Sequence, residues 1–499
     1  MLGDGYEHVI HGKSAPGAMT PIDLCYLGLV DVSQRIRTQQ FSSVEVTRAM
    51  LERISNCDGQ LGSYATVTPE VALRAAAEAD REIDSGGCRG VLHGVPIAVK
   101  DLCNTEGIVT AAGTAIYRDF VPQRDATVVS RLKAAGAVLL GKLTMTEGAF
   151  SAHHPSIQTP VNPWGSNHWA GVSSSGSGVA TAAGLCYASL GTDTLGSIRF
   201  PSAMNGITGL KPTSGRVSRT GVFALAESLD HVGPMTRSAV DTAAVLGAIA
   251  GADPDDPSAL EVPVPDYLAT INDGVDELRI GIDRSLITKG ADADIVRVIE
   301  DACEVFIRLG ADVRDVVCPS LDQIARDAVK VCAVEAAVAH ETTFPERSEE
   351  YGPVLSRLLE SGRNLDGLTL TKVLRRRAEF SRQLVTLFRE IDLLLMPAMN
   401  TASPTIAWLA ERIDDPQERL ARILFTAPFD MSGSPCLTLP GGTTSDGMPT
   451  GFQIIGRHWD EALLLRAGHA FQQEMQWHLR RPPESACFEI GAQGGDTGG

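Results

Sequence analysis

The sequence predicts an α/β fold, and three observations carry that expectation. The run GVPIAVKD (94–101) is short, apolar and partly β-branched, bounded by glycine and charge, as a strand buried on both faces would be. The segment ATVVSRLKAAGAVLLGKL (126–143) reads as helix, turn at Gly136 and strand. After long helical stretches the chain returns to strand-like runs at DLLLMPA (392–398) and SPCLTLPGG (434–442), so the two kinds of element alternate. At 499 residues the chain is about three times a common domain of ~150, which leaves open two or three domains or one large one.

In chain order, residues 22–40 and 43–56 are expected to be helical. Ser42 and Glu45 fit a capping box for the second, with Val46, Met50 and Ile54 at helical spacing. A third helix spans about 69–85 and ends at Gly86-Gly87. Residues 170–178, AGVSSSGSG, have the composition of a linker, but they run directly into VATAAGLCYASLG, an apolar segment of small residues read as a buried helix. A Gly/Ser turn opening a buried helix gathers backbone N–H groups and hydroxyls. Helices are further expected at 240–252, 290–310, 321–345 and 350–391, and ADPDDPS (252–258) is the best candidate for a hinge or crossover. Residues 1–20 read as an N-terminal extension and 490–499 as a disordered tail.

Composition narrows the function classes. Asp and Glu number 61 against 43 Lys and Arg, a formal net charge of −18, and no stretch concentrates cations as a phosphate backbone would require. Nucleic acid is not the expected partner. The first twenty residues have no basic n-region followed by an apolar core, and no apolar run approaches the ~18 residues of a membrane span, so a soluble, cytoplasmic protein is expected, with no membrane partner. Ten cysteines are scattered without a C-x-x-C pair. They are read as reduced and mostly buried, and no metal site is expected.

Two motifs are decoys. GAVLLGKL (136–143) has the spacing of a phosphate loop, but Leu143 stands where a Ser or Thr should hold magnesium, and the intervening AVLL is a strand. A nucleophile elbow, G-x-S-x-G, is missing from the chain. His153, His154 and His231 remain candidate bases, although a lone histidine in a loop is usually polar surface.

What remains is a constellation of one lysine and several serines. Lys100 closes the buried strand, where poor solvation of its ammonium favours the neutral amine. Ser173, Ser174 and Ser175 occupy the Gly/Ser turn, and Ser197 lies in GTDTLGSIRFP (191–201). A neutral lysine beside hydroxyls is a means of activating serine.

In order and spacing these segments resemble the amidase signature family. The resemblance rests on Gly171-Val172-Ser173-Ser174-Ser175-Gly176-Ser177-Gly178 leading to Asp193-Thr194-Leu195-Gly196-Ser197-Ile198-Arg199-Phe200-Pro201, on GVPIAVKD, VNPW (161–164), GLKPT (209–213), SLDHVGPM (228–235) and GFQIIG (451–456). It covers about residues 20–475. It implies a single large α/β domain over 21–480, with a mixed, mostly parallel twisted sheet surrounded by helices. It also implies Ser197 as nucleophile, a cis Ser173 as bridging serine and Lys100 as base, acting through an acyl-enzyme. Backbone N–H groups of Thr194, Leu195, Gly196 and Ser197 would form the oxyanion hole, with no metal or organic cofactor.

Two departures bear on the substrate. Val172 and Leu195 stand where the family usually has glycines, and a side chain at 195 requires a loop conformation open to L-residues. Gly148, Ala149 and Phe150 in the 145–156 loop, together with Leu195, are the expected substrate contacts, and the helical region 315–390 the expected variable wall. With no cationic cluster in the matched segments, the expected substrate is a neutral, moderately apolar aryl or alkyl amide or carbamate, cleaved with water in a urethanase-like reaction in the last case. The alternatives are an A-type subunit of a tRNA-dependent amidotransferase and a catalytically inactive binding protein on the same fold, and a homodimer is left open.

Overall fold

The computed structural model describes residues 20–412 and 415–487; the extension before residue 20 and the expected tail at 490–499 lie outside them. The strands are β1 (Tyr64–Val67), β2 (Pro96–Lys100), β3 (Val138–Leu143), β4 (Ala188–Asp193), β5 (Thr208–Lys211), β6 (His231–Thr236), β7 (Arg279–Ile282), β8 (Asp312–Asp315), β9 (Leu393–Pro397), β10 (Cys436–Thr443) and β11 (Pro449–Ile455). They form one sheet in the order β1-β3-β2-β4-β6-β5-β10-β11-β9-β7-β8, with helices packed around it. The α/β class and the mixed sheet match the expectation, whereas its parallel majority does not. β2 runs parallel to β3 and β4, and β7 to β8 and β9. The remaining pairings are antiparallel, because β10 and β11 form a hairpin and β6 turns back beside both β4 and β5.

Local signals explain where helices stop. Ser42 and Glu45 do form a capping box, and the helix they open extends over Ser43–Leu61. The helix expected at 22–40 is two, Pro21–Cys25 and Leu29–Arg37, divided at Gly28. Asp241 caps the second by accepting a hydrogen bond from the Val30 N–H at 3.0 Å. The stretch 350–391 likewise divides into Pro353–Arg363 and Gly367–Leu387, where Asp366 accepts from the Thr369 N–H at 2.9 Å. The largest difference lies after the Gly/Ser turn. Only Ser175–Ala182 is helix, and the second half of that apolar segment is β4, buried along its length between β2 and β6. Small apolar residues suit either state, so hydrogen-bonding partners distant in sequence decide.

The Asp/Pro-rich 252–258 segment is an anchored crossover. Asp253 accepts from Thr127 Oγ1 at 2.6 Å and Asp256 from the Arg219 N–H at 2.6 Å. The reading of all cysteines as reduced is corrected: Cys57 and Cys487 are disulfide-bonded, with Cα atoms 4.5 Å apart at a sequence separation of 430. The last short turn of the described chain, Glu484–Cys487, packs on helix Ser43–Leu61 and brings the thiols together. Titration of the denatured, unreduced protein is expected to find eight thiols among the ten cysteines, rising to ten on reduction. Reduction should also lower the thermal midpoint, since cross-links of this kind contribute about 2–4 kcal/mol. Finding ten thiols without reductant would exclude the bond.

Candidate active site

Three adjacent strands of the sheet position the site. β2 ends in Lys100, β4 runs into the loop bearing Ser197, and β6 begins just after Asp230. Lys100 is wholly buried, and its Nζ lies 2.7 Å from Ser173 Oγ, 2.9 Å from Ser174 Oγ and 2.8 Å from Thr192 Oγ1. The Val172–Ser173 peptide bond is cis. Burial pushes the Lys100 amine down to about 7, against a smaller opposing pull from Cys103, Asp230 and Asp193. The three hydroxyls are not equivalent. Ser174 Oγ donates to the Thr192 carbonyl and accepts from the Thr192 N–H, both at 3.2 Å, so its proton is already committed. Ser173 has no such tie and is free to hand its proton to the lysine lone pair.

Ser197 is half-buried in the loop after β4, and among the described residues its hydroxyl makes no hydrogen bond. That loop is built around a buried carboxylate. Asp193 accepts from the N–H groups of Gly196 at 2.6 Å, Ile198 at 3.0 Å and Arg199 at 3.3 Å, and from Arg199 Nε at 3.0 Å and Nη2 at 2.8 Å. Burial alone would raise the Asp193 pKa, but the Arg199 guanidinium outweighs it and holds the carboxyl well below the usual range. Arg199 also reaches Asp430 at 2.5 Å and the Thr426 carbonyl at 3.0 Å. Asp430 is pushed up by burial and by the Asp193 charge, against the opposing pull of Arg199 and Lys211. Because the Gly196 N–H is spent on Asp193, that residue leaves the set of expected oxyanion donors, while Thr194, Leu195 and Ser197 keep theirs uncommitted among the described residues.

The concern about Leu195 is resolved by the residue after it. Gly196 takes the conformation closed to side chains, at φ +132°, and a Cβ there would fall 2.4 Å from the Phe200 ring. Leu195 is not among the described non-glycine residues with positive φ, and it packs half-buried against the core.

A cavity of about 180 Å³ is walled by Ala149, Val222, Phe223, Leu225 and Asp230 and touches the lysine cluster only through Thr192, whose Oγ1 lies 2.8 Å from Lys100 Nζ; Lys100, Ser173 and Ser197 are not part of its lining. Of the expected substrate contacts only Ala149 lines it. Gly148 and Ala149 both adopt left-handed backbone, at φ 54° and 61°, which turns Ala149 toward the cavity. Gly148, Phe150 and Leu195 are not part of its lining, and neither is any residue of 315–390. That helical region instead backs the walls. His340 stacks edge-on against Phe223 at 5.4 Å between ring centres, and the Gly352 N–H donates to the buried carboxylate of Glu147 at 2.9 Å.

Sequence reading missed Thr192, Phe223, Arg219 and Asp230, although Thr192 and Asp230 sit in motifs it had marked, GTDTLGS and SLDHVGPM. Arg219, on the rim, hydrogen-bonds Ser258 Oγ at 2.8 Å and is outnumbered there by Glu227, Asp230, Asp255 and Asp256. The decoys stay decoys. Val138–Leu143 is strand β3, and its Lys142 is buried against the Cys103 carbonyl at 2.7 Å. His153 Nε2 lies 2.9 Å from Ser175 Oγ, and the surface expectation for His231 is corrected: it opens β6, where pairing with β4 buries it. No cluster suited to a metal ion occurs among the described residues, and no described helix is long and apolar enough to cross a membrane.

The chain is similar to known proteins over most of its length. The family model described as Amidase matches residues 45–465. The protein named "Putative amidase AmiD" from Mycobacterium tuberculosis is 52% identical over 458 residues, which cover 92% of this chain and 96% of that protein. The A-type subunit of glutamyl-tRNA(Gln) amidotransferase from a Geobacter species is 37% identical over 484 residues, covering 92% and 99%. The solved structure of native peptide amidase from Stenotrophomonas maltophilia is similar with a TM-score of 0.78 at 30% identity, covering 91% of this chain and 98% of that one.

Proposed function

Since the chain belongs to the amidase family, we propose that it hydrolyses neutral, moderately apolar amides or carbamates with Ser197 as nucleophile, Ser173 as proton relay and Lys100 as base. The observation that carries the reading is the 2.7 Å contact between Ser173 and a wholly buried lysine whose amine is neutral for a large share of molecules at neutral pH. Ser197 Oγ attacks the acyl carbon while its proton passes to Ser173 and that of Ser173 to Lys100. The C–N bond then breaks as the relay runs backward and protonates the departing amine, and water, activated the same way, releases the acid. The N–H groups of Thr194, Leu195 and Ser197, uncommitted among the described residues, would receive the oxyanion, each such donor contributing about 3 kcal/mol.

The substrate class follows from the cavity. Val222, Phe223, Leu225 and Ala149 supply apolar wall, and four carboxylates against one guanidinium make the rim net negative, which disfavours an acidic amide. The reading as an amidotransferase component is supported by the lower identity of 37% to the Geobacter protein, and it predicts dependence on a partner protein.

The test is a comparison of kcat/KM for an anilide, an aryl carbamate, a primary amide, an ester and free glutamine, using the purified chain alone and a Ser197→Ala control. The anilide or carbamate should exceed glutamine by at least about tenfold, with no turnover by the control. A clear preference for glutamine would overturn the substrate assignment, and full activity in the control the nucleophile.

A further inference from the structure

Asp230 stands outside the proposed triad, yet its carboxyl joins three parts of the site. Oδ1 accepts from Thr194 Oγ1 at 2.5 Å, while Oδ2 accepts from the N–H groups of Leu225 at 2.9 Å and Ala226 at 3.0 Å. Thr194 opens the loop that ends in Ser197, Leu225 lines the cavity, and Asp230 itself faces it. An ionised carboxylate accepts on both oxygens and donates nothing, which suits three donors; a neutral acid could place its one proton only toward Thr194 Oγ1, reversing that bond and giving up its charge-assisted strength. The arrangement is therefore built for the anion.

We propose that Asp230 is a positioning residue for hydrolysis: as an anion it ties the cavity wall at Leu225–Ala226 to Thr194 and so holds the oxyanion loop in register with Ser197. This rests on the reading of Ser197 as nucleophile. The titratable and charged groups around Asp230 are Lys100 on β2, Arg219 on the segment after β5, Cys332 on helix Asp322–Ala339, and the carboxylates of Glu227, Asp255 and Asp256 that line the same cavity. Burial raises the Asp230 carboxyl to about 6, with Thr194, the two backbone N–H groups and Arg219 opposing. Acidification thus acts twice on the site. Lys100 is protonated near 7, and below about 6 the charge-assisted tie to Thr194 gives way to a weaker neutral bond as well. The logarithm of the rate should rise with pH at a slope of two below 6 and of one between 6 and 7.

The experiment measures the rate at which an alkyl fluorophosphonate labels Ser197, located by mass spectrometry, from pH 5 to 8.5, beside kcat and KM for an anilide. Labelling forms the Ser197 Oγ–P bond and expels fluoride while the hydroxyl proton enters the relay. Asp230→Asn should lower kcat at pH 8 by about ten- to a hundredfold with KM within about threefold, and its low-pH slope should fall from two to one. Thr194→Val, which leaves the carboxylate and its two backbone bonds in place, should reproduce the kcat loss and serves where Asp230→Asn does not fold. The double variant should be no more than about twofold slower than the slower single one, because both break the same link. Wild-type kcat in Thr194→Val, an unchanged slope in Asp230→Asn, a loss wholly in KM, or additive effects would each overturn the proposal. A wild-type protein whose Ser197 is not labelled overturns the nucleophile assignment instead.

Discussion

Lys100→Met lowers kcat for an anilide by roughly three to five orders of magnitude while leaving the protein folded. Methionine fills a similar volume without a basic nitrogen, so Ser173, Ser174 and Thr192 lose the atom to which all three converge. The fold should tolerate the change, because replacing a buried amine by an apolar isostere removes a desolvation cost. The pH dependence gives the sharper readout. In the proposed mechanism the base works as the neutral amine, and burial pushes its pKa down to about 7, so wild-type kcat/KM is expected to climb as pH rises through 7 and to level off above about 8. The variant's residual rate has no such limb. Lys100→Arg should be equally inactive, since a guanidinium stays charged across this range. Near wild-type activity in the methionine variant at pH 8 would remove the lysine from the reaction.

Arg199→Met is expected to have the largest effect on stability, about 3–5 kcal/mol, seen as a lower urea midpoint at unchanged slope. Arg199, Asp193 and Asp430 are all fully buried, and the arginine is the cation against which the Asp193 charge is balanced. Without it Asp193 must either stay charged in an apolar interior or take up a proton and weaken its bonds to the backbone N–H groups of residues 196, 198 and 199. The loop bearing Ser197 would loosen in either case, so activity falls along with stability. A variant with wild-type stability would show that the carboxylate has another source of compensation.

The meeting of Lys100 with Ser173 and Ser174 was legible because each lies in a short segment with strong local constraints, a strand end and a Gly/Ser turn. The capping box at Ser42 was legible for the same reason, since a helix start is decided within four residues. The identity of β4 was not, as Ala188–Asp193 becomes a strand only through pairing with β2 and β6. Sheet direction depends on pairings such as that of β10 with β5, more than two hundred residues apart in sequence. The cavity wall is a similar case. Phe223 looked like any apolar loop residue, and its place is set by Tyr117 on one side and His340 on the other, at ring-centre distances of 5.5 Å and 5.4 Å. The cross-link from Cys57 to Cys487 has no sequence signal at all, because only the folded chain brings its ends together.

The position of the β10–β11 hairpin has a consequence for how the chain reaches its fold during synthesis. These two strands are among the last to leave the ribosome, yet they occupy the interior of the sheet, with β5 on one side and β9 on the other. Until residues 436–455 emerge, the nascent chain holds two half-sheets, each with an unpaired apolar edge, and nothing to join them. Lys100, Ser173 and Ser197 belong to the half made first, but the groups that clamp Arg199 from behind, at Thr426, Asp430 and Gln453, belong to the half made last. Ribosome-bound chains that stop short of 436 should therefore expose sheet edges for chaperones to cover, and the nucleophile loop acquires its anchor only when the final hairpin closes the gap.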